Sequence, residues 1–333
     1  MYDLEVDKAV RWVRERGYRE VLVQAPDGIK PYLAPLLEAL EEEGVEPLVS
    51  ASHAWGGCDL AFSEARALGV GAIIHVGHHG PVRVRELAFD TLFIPAYAEV
   101  DPAPALERGL ALAEDEGFRR IVLLCSVQHL RELPRMVALA ARSGFEVVRA
   151  GVAGVPGLII GCDPSAAPVD ADGVLVVSGG KFHALGAALA SSKPTVAIDP
   201  FTQRVELLDR EVRKVVALRL SHLLEALEAR SFAVVLSIKP GQVNRSACRW
   251  AVHALRQAGK RVTVVVVNDV SREVLENVSG VDAFVNTACP RLATDDAYLF
   301  PGPVVNVGEL RYLLRGRLED YSPRSVFSLH PAP

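Results

Sequence analysis

Residues Gly173 to Gly186 read GVLVVSGGKFHALG, and the opening run Gly173–Val177 decides the fold. An apolar run this short, without polar alternation, suits a strand covered on both faces, as in a parallel sheet. Gly179 and Gly180 break the run, and a helical stretch follows. Strand, glycine turn and helix in that order make an α/β unit. Working outward, the same grammar recurs three times. The first strands are Val21–Ala25, Ile121–Cys125 and Ala233–Ile238. The second are Glu46–Ala51, Phe145–Gly151 and Arg261–Asn268. The third are Ala72–Val76, Gly173–Val177 and Ala283–Asn286, and the fourth are Thr91–Pro95, Thr195–Ile198 and Val304–Val307. A helix precedes each first strand, at Asp7–Glu15, Pro104–Glu116 and Glu206–Ala229. Another, Pro31 to Glu43, is closed by Gly44.

The repeat of roughly 100 residues is too long for a solenoid and reads as a triplicated domain. The expected segments are 1–103, 104–205 and 206–333. The expected fold is α/β, with three pseudo-equivalent domains around a shared central site. Each carries a small, mostly parallel four-stranded sheet flanked by helices. The site is expected where loops leave the carboxyl ends of strands.

Composition narrows the function classes. Half of the 333 residues are hydrophobic, which is enough to bury several cores. A formal charge of −5 argues against a nucleic-acid binder, which would show a basic face. No apolar run approaches the roughly 20 residues that span a bilayer. The charged, helix-patterned start gives no signal peptide, so a cytoplasmic protein is expected. Plentiful Arg, Glu, Pro and Ala with scarce Met fit a thermophile or a GC-rich genome.

The cysteines are Cys58, Cys125, Cys162, Cys248 and Cys289. An odd count in a large chain without a secretion signal argues against a disulfide framework. Cys58 in AWGGCD and Cys162 in IGCDP each follow a second strand, whereas Cys289 in NTACPR follows a third. All three lie in loops marked by Gly or Pro. Thiolates there suit an iron–sulfur cluster or zinc. Three ligands would leave one iron of a four-iron cluster open to a substrate. A structural zinc would need a fourth ligand, such as His53 or His183. Plain burial of small residues is the third reading. Cys125 ends an apolar run and Cys248 sits on a helical stretch, so both read as core thiols.

Other polar residues cluster at strand ends. Gly179 and Gly180 offer backbone N–H groups to a ligand ahead of a helix. The segment is no Walker A loop, because Phe182 stands where Ser or Thr is required. His75 and His78 occupy the matching place in the first segment, as metal ligands, acid–base groups or hydrogen-bonded structural residues. Gln24-Ala-Pro-Asp-Gly28 and Lys239-Pro-Gly-Gln242 follow first strands, as polar turns or simple loop closures. Arg291 could pair with a carboxylate, and Asp295 and Asp296 could cap a helix.

Taken in order, these pieces resemble a family: the archaeal 2-(3-amino-3-carboxypropyl)histidine synthases of diphthamide biosynthesis. The resemblance runs from Val21 to Glu309. It rests on Gln24–Gly28, Trp55-Gly-Gly-Cys-Asp59, Leu68-Gly69, His75-Val-Gly-His78, Gly179-Gly-Lys-Phe-His183, Lys239–Gln242 and Ala288-Cys-Pro-Arg291. It implies three similar α/β domains, a homodimer, and a [4Fe–4S] cluster on Cys58, Cys162 and Cys289. It implies S-adenosylmethionine at the open iron. Gln24, Gly179, Gly180, Lys239, Gln242 and Arg291 lie where they could hold that co-substrate. The implied reaction moves a 3-amino-3-carboxypropyl radical onto C2 of a histidine of elongation factor 2, with 5′-methylthioadenosine leaving and a reductant protein supplying electrons. No C-x-x-x-C-x-x-C run is present, so the ligands must be assembled by the fold. The family often has Tyr-Gly-Ala-Cys at its first cysteine, where this chain has Trp55-Gly-Gly-Cys58. A quinolinate synthase-like iron–sulfur lyase, and a non-catalytic partner or electron-relay subunit, are the rival readings.

Overall fold

Three separate parallel stacks of strands organise the chain, in a computed structural model that describes residues 2–166 and 170–329. The end of the expected segment 206–333 beyond 329 lies outside the described residues. The first sheet orders its strands Glu46–Val49, Glu20–Gln24, Ala72–Val76 and Asp90–Ile94, all parallel. The second begins Glu146–Val148, Arg120–Cys125, Gly173–Val177 and Thr195–Asp199. The third orders Arg261–Val267, Ser231–Ser237, Ala283–Asn286 and Val304–Asn306, again all parallel. Numbered by position within each sheet, the order is second, first, third, fourth every time. The order reverses between the first and third strands, where open α/β sheets form their binding crevices.

The middle sheet departs from four strands. Arg204–Leu207 adds a fifth, antiparallel to Thr195–Asp199. The expected helix Glu206–Ala229 therefore begins only at Asp209, and the new strand crosses the expected 205/206 boundary. Arg-Val-Glu-Leu alternates polar and apolar residues, the period of a half-covered edge strand, and Asp209 and Glu211 mark the true helix start.

A second correction concerns Cys162. The strand expected to reach Gly151 stops at Val148. Gly151–Val152 and Val155–Pro156 then form a short antiparallel pair around Ala153 and Gly154. Both turn residues have positive φ, 54° and 74°, as a tight hairpin turn requires. Cys162 thus follows a hairpin, not the sheet strand itself.

The chain divides into two compact units. The first comprises Met1–Pro102, Cys125–Arg135 and Lys239–Gly241 and holds the first sheet. Its strands bury both faces. Val21 and Val23 point to Trp12, Val13, Leu36 and Leu40 of helices Val6–Arg16 and Ala34–Glu42. Leu22 and Ile73 point the other way, to Phe62 and Ala65 of helix Phe62–Leu68. Each such Val, Leu, Ile or Phe side chain contributes roughly 1.5–3 kcal/mol on burial. The second unit comprises Ala103–Leu124, Met136–Ile238 and Gln242–Pro333. There Gly173–Val177 and Ala283–Asn286 are buried along their whole length. Among the described residues no helix is long and apolar enough to cross a membrane.

Candidate functional site

In the first unit the chemistry gathers at the carboxyl ends of neighbouring parallel strands, where Gln24 pairs with His75. Gln24 is buried, and its Nε2 donates to the Asp59 carbonyl at 2.9 Å. Its Oε1 accepts from the Ala61 N–H at 3.0 Å and faces His75 Nδ1 at 3.0 Å. An amide oxygen only accepts, so the His75 proton sits on Nδ1. His75 Nε2 therefore accepts from His78 Nδ1–H, 2.8 Å away. Burial, with His78 adding to it, holds the His75 pKa well below the ordinary 6.5. Burial thus disfavours the imidazolium form of His75, and both ring nitrogens are engaged within the network.

This network holds the turn that carries Cys58. Asp59 is buried, and Lys239 Nζ lies 3.0 Å from each of its carboxylate oxygens. The Gly241 N–H donates to the Cys58 carbonyl at 2.8 Å, and the Val82 N–H to the Gly57 carbonyl at 2.9 Å. The approach is too close for a side chain. A Cβ on Gly241 would stand 2.1 Å from the Val82 carbonyl oxygen and 2.6 Å from Cys58 Cα. Trp55 is exposed beside His53, which pairs with Asp27 at 2.5 Å. The Cys58 thiol is half-buried.

The second unit carries the other two candidate ligands, both half-buried. Cys289 follows the buried strand Ala283–Asn286. Asn286 Nδ2 donates to the Cys289 carbonyl and to Asn306 Oδ1, each at 2.7 Å, and its Oδ1 accepts the Ala288 N–H at 3.0 Å. Asn306 Nδ2 donates to the Pro290 carbonyl at 2.8 Å and the Val326 carbonyl at 3.1 Å. Behind them, Glu309 Oε2 accepts the Asn306 N–H at 2.9 Å and pairs with the fully buried Arg219 at 2.8 Å. Arg219 also donates to the Ala293 carbonyl at 2.8 Å, closing the short helix Pro290–Ala293.

Arg291 ties this turn to the one bearing Cys162. It is buried, its guanidinium 4.1 Å over the Phe182 ring. Nη1 donates to the Gly161 carbonyl at 3.2 Å, and Nη2 to Asp295 at 2.7 Å. The expected carboxylate partner is thus Asp295 of its own chain. Asp296 precedes the short helix Ala297–Leu299 without a side-chain capping bond. The Gly180 N–H, expected to face a ligand, donates to Asp199 at 3.1 Å. Gly179 lies in the exposed turn before helix Phe182–Ser191, and Gln242 is half-buried ahead of helix Arg245–Gln257. His183 rests edge-on against Phe182.

The two remaining cysteines differ in kind. Cys125 is fully buried, which pushes its thiol up to about 12. Cys248 is buried on helix Arg245–Gln257, and burial raises its pKa too. Neither favours a thiolate. Among the described residues, no three His, Cys, Asp or Glu side chains converge tightly enough to hold a single metal ion. A four-iron cluster is wider than one ion, so its thiolates need not meet around a point.

Asp59, Asn286, Asn306, Arg219 and Glu309 were not singled out by sequence as parts of this machinery. The signals were present for three of them: Asp59 lies in the repeated Cys-Asp pair with Asp163, and each asparagine ends a buried apolar strand.

Comparison with known proteins places these turns in context. A family model described as "Putative diphthamide synthesis protein" matches residues 25–322. The chain is 32% identical to the 2-(3-amino-3-carboxypropyl)histidine synthase of Pyrococcus horikoshii, over 96% of this chain and 93% of that one. It is 23% identical to the synthase of the same name from Methanocaldococcus jannaschii, over 95% and 91%. The crystal structure of Dph2 from P. horikoshii with a 4Fe-4S cluster is similar at a TM-score of 0.87 and 31% identity, covering 97% of this chain and 94% of that one.

Proposed function

This chain belongs to the diphthamide synthesis family, and from that premise we propose that it is a 3-amino-3-carboxypropyl transferase with a [4Fe–4S] cluster. The donor is S-adenosylmethionine and the acceptor is C2 of a histidine imidazole on elongation factor 2. The likeness to the cluster-bound Dph2 structure carries the reading. The donor set fits it: Cys58, Cys162 and Cys289 are half-buried in braced turns, while Cys125 and Cys248 are buried with raised pKa values. When bound, the cluster supplies one-electron reduction at an iron that no cysteine occupies.

The remaining work falls to the chain's own residues. Cleaving the sulfonium bond consumes one electron and releases 5′-methylthioadenosine. Restoring the imidazole after carbon attack at C2 returns one electron and frees the C2 proton. The balance needs no strong acid or base, which agrees with the neutral, enclosed His75. Gln24 and Lys239 serve by holding the Cys58 turn, and Arg291 by joining the two turns of the second unit. Gly179, in the exposed turn, and Gln242 contact the co-substrate, with Asp199 holding the Gly180 N–H beside them. A reductant protein feeds the electron, and the working form is a homodimer.

The test is anaerobic. Reduced protein, S-adenosylmethionine and archaeal elongation factor 2 are expected to yield 5′-methylthioadenosine and a modified factor. Absence of both products sinks the reading. Replacing Cys58, Cys162 or Cys289 by Ala is expected to lower bound iron; full iron in any one of them removes that residue from the ligand set.

A further inference from the structure

We propose that Asn286, seconded by Asn306, is a positioning residue that fixes where the Cys289 sulfur stands. The inference rests on the cluster reading above, and it concerns residues which that reading does not use. Both carboxamides are 1% exposed. Asn286 closes the Cys289 turn from within: its Oδ1 takes the Ala288 N–H and its Nδ2 gives to the Cys289 carbonyl. Asn306, on the neighbouring strand, takes the other Asn286 proton and gives to the next carbonyl, Pro290. Two successive carbonyls at the candidate ligand are thereby held by side chains anchored in the sheet.

The orientation of both amides is settled by their partners. Asn286 Oδ1 faces an N–H and its Nδ2 faces two acceptors, so a flipped amide would set donor against donor and acceptor against acceptor. The Asn306 amide is locked likewise by the Pro290 and Val326 carbonyls. The Glu309–Arg219 pair behind Asn306 keeps its backbone from sliding along the strand. The peptide groups on either side of the Cys289–Pro290 bond are thus held from within the sheet. Such outer partners typically change metal affinity about 10- to 100-fold when removed.

The closing experiment uses the full chain with Asn286→Asp, whose carboxylate cannot donate to the Cys289 carbonyl. Val305→Ala, a buried residue on the strand Val304–Asn306, serves as the control that lowers stability without removing these bonds. Iron release to a chelator is expected to be about 10- to 100-fold faster in Asn286→Asp and unchanged in Val305→Ala. In the metal-free protein, alkylation of Cys289, mapped by peptide, is expected to speed up in Asn286→Asp while Cys162 keeps its rate. If Asn286→Asp does not fold, Asn306→Asp takes its place with the same two readouts. The proposal is overturned if Cys289 alkylates at the wild-type rate in the folded variant, or if Val305→Ala accelerates both readouts equally. Wild-type protein that takes up no iron would instead defeat the cluster reading, and the alkylation rates would still decide the role of Asn286.

Discussion

The turns at Cys58 and Cys289 solve one problem with different chemistry. Each presents a half-buried thiol from a backbone whose carbonyls are tied down. At Cys58 the tie is ionic and crowded: a buried Asp59–Lys239 pair, a buried glutamine and a glycine with no room for a Cβ. At Cys289 the ties are neutral amides, with the buried ion pair set one layer back. A buried pair is strong only while complete, because either partner alone is an uncompensated charge. A neutral amide left alone costs much less. The Cys58 turn should therefore fail abruptly, and the Cys289 turn by degrees.

The largest effect should come from Lys239→Met, which removes the counter-ion of the buried Asp59 carboxylate. A loss of about 3–5 kcal/mol is expected in denaturant unfolding. Adding Asp59→Asn to that variant should recover most of the loss. A cost under about 1 kcal/mol for Lys239→Met would mean that the pair is solvated, and the contrast between the turns would collapse.

Gly241→Ala should rank next. The new methyl meets the Val82 carbonyl and Cys58 Cα, both backbone, so the turn itself must move. Overpacking of this kind costs about 1–3 kcal/mol. Thermal unfolding measures the cost, and bound iron reports whether Cys58 was displaced.

A third test exploits His75. Its pKa in the folded chain lies well below 6.5, while the unfolded chain titrates near 6.5. Below that pH the unfolded state gains a proton that the folded state refuses. The His75 contribution is therefore complete above about pH 7 and is lost on acidification, by up to about 1.4 kcal/mol per pH unit. The difference between wild-type and His75→Gln unfolding curves from pH 7 to 5 should show that slope. Parallel curves would mean that His75 takes up its proton in the fold as readily as in the unfolded chain.

The smallest effect expected is none. Cys125→Ala should leave iron content unchanged, since its thiol pKa near 12 keeps it from being a thiolate at neutral pH. Iron lost from that variant would show that burial does not sort the cysteines.

The limits of reading such a chain follow from what local pattern encodes. Ala72–Val76, Gly173–Val177 and Ala283–Asn286 were legible to the residue, because a strand buried on both faces is a plain apolar run. Glu206 and Leu207, the second half of the strand Arg204–Leu207, were read as the start of a helix: the strand is four residues long, and only pairing with Thr195–Asp199 makes it one. The cysteine loops were visible through their Gly and Pro neighbours. The bracing around them was not, because Lys239 meets Asp59 across 180 positions and Arg291 meets Gly161 across 130. Charge and polarity mark such residues as interesting; only the fold says that their partners are internal. Hence Gln24, Lys239 and Arg291, expected beside a co-substrate, carry internal bonds to Asp59, Gly161 and Asp295 that the sequence did not announce.

The short piece Lys239–Gly241 belongs to the first unit although the chain reaches it last. During synthesis, then, the first sheet can form early, with Gln24 and Val82 already holding the turn, but Asp59 lacks its Lys239 counter-ion and the Cys58 carbonyl its Gly241 N–H until Lys239–Gly241 leaves the ribosome. Over the stretch from 135 to 239, at roughly 5–20 residues per second, that is about 5 to 20 seconds of waiting. For that interval the nascent chain carries the Asp59 carboxylate without its lysine, so the order of translation, and not the sheet alone, sets when this turn is complete.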